Sequence, residues 1–108
     1  MTSLLIDSGF LFAIIVSNDP KHSIAMKVLE SLKGNNLVLP TPVIIETMYL
    51  LQARIGHHAA RNFLKVLMNS PWKLENIHKT DLERIYELLN QYSDAELDFV
   101  DAAITTLA

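Results

Sequence analysis

The sequence contains no cysteine. That excludes a disulfide framework, a thiolate metal centre and a cysteine nucleophile, and it fits a reducing compartment. Glycine and proline are scarce, three and four residues among 108. Charged residues make up only 19% of a half-hydrophobic chain, which is too apolar to stay disordered. An excess of positive charge is missing as well: nine Lys and Arg face twelve Asp and Glu, a net charge of -3. A protein that grips nucleic acid mainly by neutralising phosphates should be basic, so that mode of binding is disfavoured. Nor is there a long hydrophobic run near the start. Gly9 to Val16 falls well short of the ~20 residues a spanning helix needs. No Lys or Arg precedes that run, the first being Lys21, so the basic head of a secretory leader is missing too. A mature cytoplasmic protein with no membrane segment is expected.

What is present is enough apolar material for one packed domain covering residues 1–108. Ser3-Leu4-Leu5-Ile6 reads as a buried strand, followed by a helix over Gly9 to Val16 with Asp7 or Ser8 as its cap. After the turn Ser17-Asn18-Asp19-Pro20, the spacing of Ile24, Val28, Leu29 and Leu32 predicts a helix ended by Gly34. Leu37-Val38-Leu39 is a second short strand. Thr41 and Pro42 mark a helix start, a capping hydroxyl followed by a first-turn proline, and that helix runs to about Ile55. His58 to Met68 is helical, with Ala59, Phe63, Val66 and Leu67 inward. Trp72 to Ile77 is an imperfectly alternating strand. Thr80 and Glu83 form a capping box for a helix whose core face is Ile85, Leu88, Leu89 and Tyr92. A last helix starts near Leu97. Strands alternating with helix pairs imply an α/β fold with three α/β/α layers and a mainly parallel sheet.

Three acids stand out against this pattern. Asp7 directly follows the first strand, and ligands in open α/β sheets bind at the carboxyl ends of strands; a plain capping role explains it equally well. Glu46 lies two residues too late to belong to a capping box begun at Thr41. Its helical neighbours Pro42, Val43, Tyr49 and Leu50 are nearly all apolar, so an unpaired carboxylate there is costly. Arg54, eight residues on, is its candidate structural partner. Asp101 falls within the stripe Leu97, Val100, Ile104 and Ala108. Asp98 stands one turn earlier, where two like charges repel unless a cation lies between them. The plain reading of that pair is Asp98 as helix cap and Asp101 at the third helical position. Acids from three distant segments, each near a helix start, can converge at one sheet edge. An all-oxygen cluster suits Mg2+ or Mn2+, which activates water and neutralises a phosphodiester under attack. It also lets an acidic protein approach nucleic acid.

Leu4-Leu5-Ile6-Asp7-Ser8, then Pro40-Thr41-Pro42-Val43-Ile44-Ile45-Glu46, then Leu97-Asp98-Phe99-Val100-Asp101-Ala102 together resemble the PIN domain, the metal-dependent ribonuclease fold of the VapC-type toxins. The resemblance covers essentially the whole chain. It implies an acidic pocket binding Mg2+ or Mn2+ and hydrolysing RNA. Asp7, Glu46 and Asp101 match the family's first three acids, Asp98 an additional acid, and Ser8 a small hydroxyl residue lining the pocket. It further implies a cognate antitoxin partner and a homodimer. Family members usually continue past the Asp101 helix into a last strand followed by another acid or Asn, so the chain reads as a PIN-like domain that is C-terminally incomplete. The rival reading is a non-catalytic PIN-like module for dimerisation or partner binding. Haloacid-dehalogenase chemistry would need a second Asp where Gly9 stands. A phospho-receiver domain would need an acidic pair before its phosphoacceptor strand, and residues 1–6 hold none. No glycine-rich phosphate loop occurs. His57 and His58 are adjacent and diverge on a helix, so they are read as turn residues, and Arg54, Arg61 and Lys65 as a solvated face.

Overall fold

The computed structural model describes residues 3–95 and 97–107. Within them lie β1 (Ser3–Leu5), α1 (Ser8–Ile15), α2 (His22–Ser31), β2 (Asn36–Pro40), α3 (Thr41–Arg54), α4 (His57–Asn69), β3 (Lys73–Glu75), α5 (Leu82–Gln91) and α6 (Phe99–Leu107). The element order is the expected one. The three strands form one sheet in the order β1-β2-β3, both pairings parallel, with Leu5 opposite Val38 and Leu39 opposite Leu74. Parallel pairing demands a helical crossover between consecutive strands, and the pairs α1–α2 and α3–α4 supply it.

The central strand reports how the layers sit. Leu37, Val38, Leu39 and Pro40 are all buried. Successive side chains of a strand point to opposite faces, so both faces of β2 are covered, as three layers require. The main core joins Ile6, Leu37 and Leu39 of the sheet region to Leu11 of α1, Val43 and Leu51 of α3 and Phe63 of α4. A smaller cluster joins Ile85 and Leu88 of α5 to Ala102 and Ala103 of α6.

Several local expectations are corrected. α2 turns Ala25 inward with Leu29 and Leu32 partly buried, and leaves Ile24 65% exposed and Val28 42% exposed. On α4, Ala59, Ala60 and Phe63 are buried, while Val66 is exposed; on α5, Tyr92 at the helix end is exposed. Thr41 is not the cap of α3: Pro40 holds the cap position, no side chain bonds the first amides, and Pro42 still falls in the first turn. The Thr80–Glu83 box does not form. The chain enters α5 through a 3-10 turn, Lys79–Asp81, where the Asp81 carboxylate accepts the His78 backbone N–H at 2.9 Å. β3 is shorter than residues 72–77, and all three of its side chains are exposed.

Candidate active site

Each candidate acid is placed by an element boundary. The chain leaves β1 and reaches Asp7 at the carboxyl edge of the sheet. There its Oδ1 accepts the Phe10 N–H at 2.9 Å and caps α1. This is the capping role foreseen for Asp7, and the carboxylate is exposed. Ser8 opens α1 and donates its hydroxyl to Glu46 Oε1. Glu46 sits in the second turn of α3, which starts directly where β2 ends, and it is half-buried. The isolated buried carboxylate expected from its apolar neighbours is therefore corrected: Tyr49 and Ile45 are 69% and 71% exposed, and Ser8 satisfies one oxygen. Arg54 is not its partner. That guanidinium lies over the Phe12 ring instead, 5.5 Å from its centroid.

α6 brings in the second pair. Asp98 Oδ1 accepts the Asp101 N–H at 2.9 Å, which makes Asp98 the helix cap and Asp101 the third helical residue. The apolar stripe drawn through Asp101 is corrected. The buried residues are Ala102 and Ala103, with Leu97, Val100 and Ile104 partly buried, while Asp101 is exposed; Ala108 lies outside the described residues. The Asp101 carboxyl is nevertheless held above its ordinary range. Partial loss of water is the largest cause, followed by the Asp98 charge and a side-chain hydrogen bond with Asp98, with the Glu46 charge adding to them; the backbone bond to Asp98 works the other way.

The structure thus links three segments. Ser8 touches Glu46, and Glu46 acts on Asp101 through space alongside Asp98. Asp7 enters as the residue before Ser8. Among the described residues no three acidic or His side chains stand close enough to clasp an ion together as placed. The donors are all carboxylate and hydroxyl oxygens, the chemistry of a hard divalent cation, and the unrelieved repulsion on Asp101 is what such a cation would remove. The arrangement fits an ion held partly through water.

Comparison with known proteins bears on the fold. The PIN domain matches residues 4–108. The chain belongs to the PIN domain family. Among PIN relatives it is 28% identical over 97% of its length, and 77% of theirs, to Ribonuclease VapC26 of Mycobacterium tuberculosis (strain ATCC 25618 / H37Rv). It is 27% identical over 92% of its length, and 75% of theirs, to the 23S rRNA-specific endonuclease VapC20 of M. tuberculosis (strain CDC 1551 / Oshkosh). The crystal structure of M. tuberculosis VapC20, described as a Sarcin-Ricin loop cleaving toxin, superposes with a TM-score of 0.88 at 24% identity, covering 98% of this chain and 80% of that one. The parallel α/β fold is therefore that of a PIN domain.

The sequence reading missed one neighbour of the site. Arg54 was expected on a solvated face, whereas it lines a depression together with Ser8 and Lys21. The available signal was the spacing of Glu46, Leu50 and Arg54, four residues apart on one face of α3.

Proposed function

We propose that this PIN domain is a metal-dependent endoribonuclease, the toxin of a toxin–antitoxin pair, acting on RNA in the cytoplasm with Mg2+ or Mn2+. One observation carries the reading: on a PIN fold, Ser8 and Glu46 join α1 to α3, and Glu46 and Asp98 together act on Asp101 of α6. The relatives' names, ribonuclease and 23S rRNA-specific endonuclease, support RNA as the substrate class.

Asp7, Glu46 and Asp101 are assigned as catalytic metal ligands, with Asp98 completing the metal site and Ser8 lining the pocket. The hydrogen bonds support this division of labour. Asp7 spends one oxygen on the Phe10 amide, Glu46 one on Ser8, and Asp98 one on the Asp101 amide. Each carboxylate is oriented by one oxygen and keeps the other available, which is how a supporting shell fixes a ligand. Asp101 bonds with Asp98 and carries the repulsion of Asp98 and Glu46. A divalent ion bound there would supply Lewis-acid activation of water and neutralise charge building on the phosphate. The protein's part is to present oxygens at fixed positions so that no reorganisation is needed during hydrolysis.

Two protein partners belong to the same reading, a cognate antitoxin and a second copy of the chain. The exposed apolar pair Ile45 and Tyr49, one helical turn apart on α3, supports a protein-binding face. The absence of three closely gathered acids among the described residues favours the non-catalytic module as the rival. An RNA cleavage assay decides between them. With ribosomal RNA and Mg2+ or Mn2+ the protein should cleave, chelation should stop it, and Asp7→Asn should lower the rate by at least about 100-fold. Cleavage that persists in excess chelator, or no cleavage with either ion, overturns the proposal.

A further inference from the structure

A depression of about 380 Å3 lies against α1 and α3, lined by Ser8, Gly9, Phe12, Lys21, Leu50 and Arg54 among others. Three features give it a direction. Ser8 belongs both to its wall and to the acid site, because its hydroxyl is bonded to Glu46. Leu50 and Arg54 of α3 line the groove, and Glu46, the partner of Ser8, lies one turn before Leu50 on the same helix face, eight residues and roughly 12 Å of helical rise from Arg54. Arg54 lies over the Phe12 ring, 5.5 Å from its centroid, a cation–π contact that favours this placement of the guanidinium.

Charge gives the groove its ligand. Among the described residues neither Arg54 nor Lys21 is paired with a carboxylate. The one acid in the wall is Asp19, which accepts the backbone N–H of Lys21 at 2.8 Å and closes the turn into α2. Two cations in a depression that shares Ser8 with Glu46, in a protein of net charge -3, place positive charge where a polyanion engaged by the acids would extend. Arg54 in the last turn of α3 also suits the negative end of the helix. That role needs only a cation and requires neither the groove nor the stacked ring.

We propose that this groove is a subsite for the RNA backbone flanking the scissile bond, with the Arg54 guanidinium donating to one phosphate and the Lys21 ammonium to a neighbouring one. The inference rests on the ribonuclease reading. It predicts sequence-independent holding of the strand, because phosphate contacts position without reading bases.

The test combines cleavage kinetics on ribosomal RNA with a salt titration of binding to a mixed-sequence single-stranded RNA, the latter in an Asp101→Asn background to prevent turnover. Arg54→Ala and Lys21→Ala should each raise KM roughly three- to tenfold with kcat little changed, and should lower the slope of log affinity against log salt by about 0.7. Arg61→Ala, on α4 outside the groove and bonded to His57, is the control and should change neither. Arg54→Lys keeps the helix-end charge and should recover the salt slope while recovering KM only in part; it decides the matter, with Lys21→Ala, if Arg54→Ala fails to fold. If the parent protein cleaves RNA but both groove variants behave like the control, the subsite is wrong and the ribonuclease reading stands. If the parent cleaves no RNA with either metal, both fall together.

Discussion

Glu46 and Asp101 are oriented by polar contacts and face like charge, a combination that serves chemistry better than stability. Folding leaves Asp101 beside Asp98 and within reach of Glu46, so its ionised form is disfavoured relative to the unfolded chain. The pH consequence follows from that sign. A raised folded-state pKa means the folded protein binds the proton more tightly, so this contribution to stability is fully present below the unfolded value of 3.8 and is lost as pH rises through the folded one. Asp101→Asn in the metal-free protein should therefore raise Tm at neutral pH and flatten the decline of Tm with pH above 3.8, while RNA cleavage falls at least about 100-fold. Solvent screening at this exposed carboxyl keeps the gain below about 1 kcal/mol. Asp98→Ala should behave oppositely in thermal melts, costing about 1 kcal/mol because the cap of α6 is lost. These residues were legible in the sequence because acids in an apolar setting, at strand ends and helix starts, are costly without a reason. Two details were not. Ser8 as the partner of Glu46 joins segments 38 residues apart, and nothing local announces such a bond. The exposure of Asp101 depended on how α6 rolls against α5, and Ala102 and Ala103, two small residues, took the buried side that the larger residues of the stripe were expected to fill.

At the scale of elements, order and type were readable from the alternation of apolar runs and turn residues, and boundaries and faces were not. A hydroxyl or amide side chain can serve either as cap or as part of the turn before it, which is why the caps foreseen at Thr41 and Thr80 belong instead to Pro40 and Asp81. α2 offered two rival apolar faces, and the one with Ala25 won because a small side chain allows close approach, leaving Ile24 and Val28 outside. Gly56, between α3 and α4, is a position where the backbone demands glycine: its φ is 142°, and an added Cβ would stand 3.2 Å from the His58 ring. Gly56→Ala should cost roughly 1–3 kcal/mol, seen as a lower denaturant midpoint with an unchanged slope. An unchanged midpoint would show that this turn relaxes freely.

The whole molecule rests on a core centred where α1, α3 and α4 meet the sheet. Leu11, fully buried, anchors the helix that Asp7 caps and Ser8 opens, so packing and site share a support. Leu11→Ala should cost about 2–5 kcal/mol and should lower activity only through the folded fraction, leaving the KM of the surviving protein unchanged. An ion bound by the acids, as proposed, would join the folding balance, since a ligand that binds only the folded state stabilises it by mass action. A calorimetric titration of Mn2+ into the protein and into its Asp7→Asn, Glu46→Gln and Asp101→Asn variants tests this most directly. Saturable binding in the parent that is lost or strongly weakened in all three variants, each still folded, is the predicted result. Binding that survives any one of the substitutions unchanged, or no binding in the parent, would contradict a single site built from these three segments.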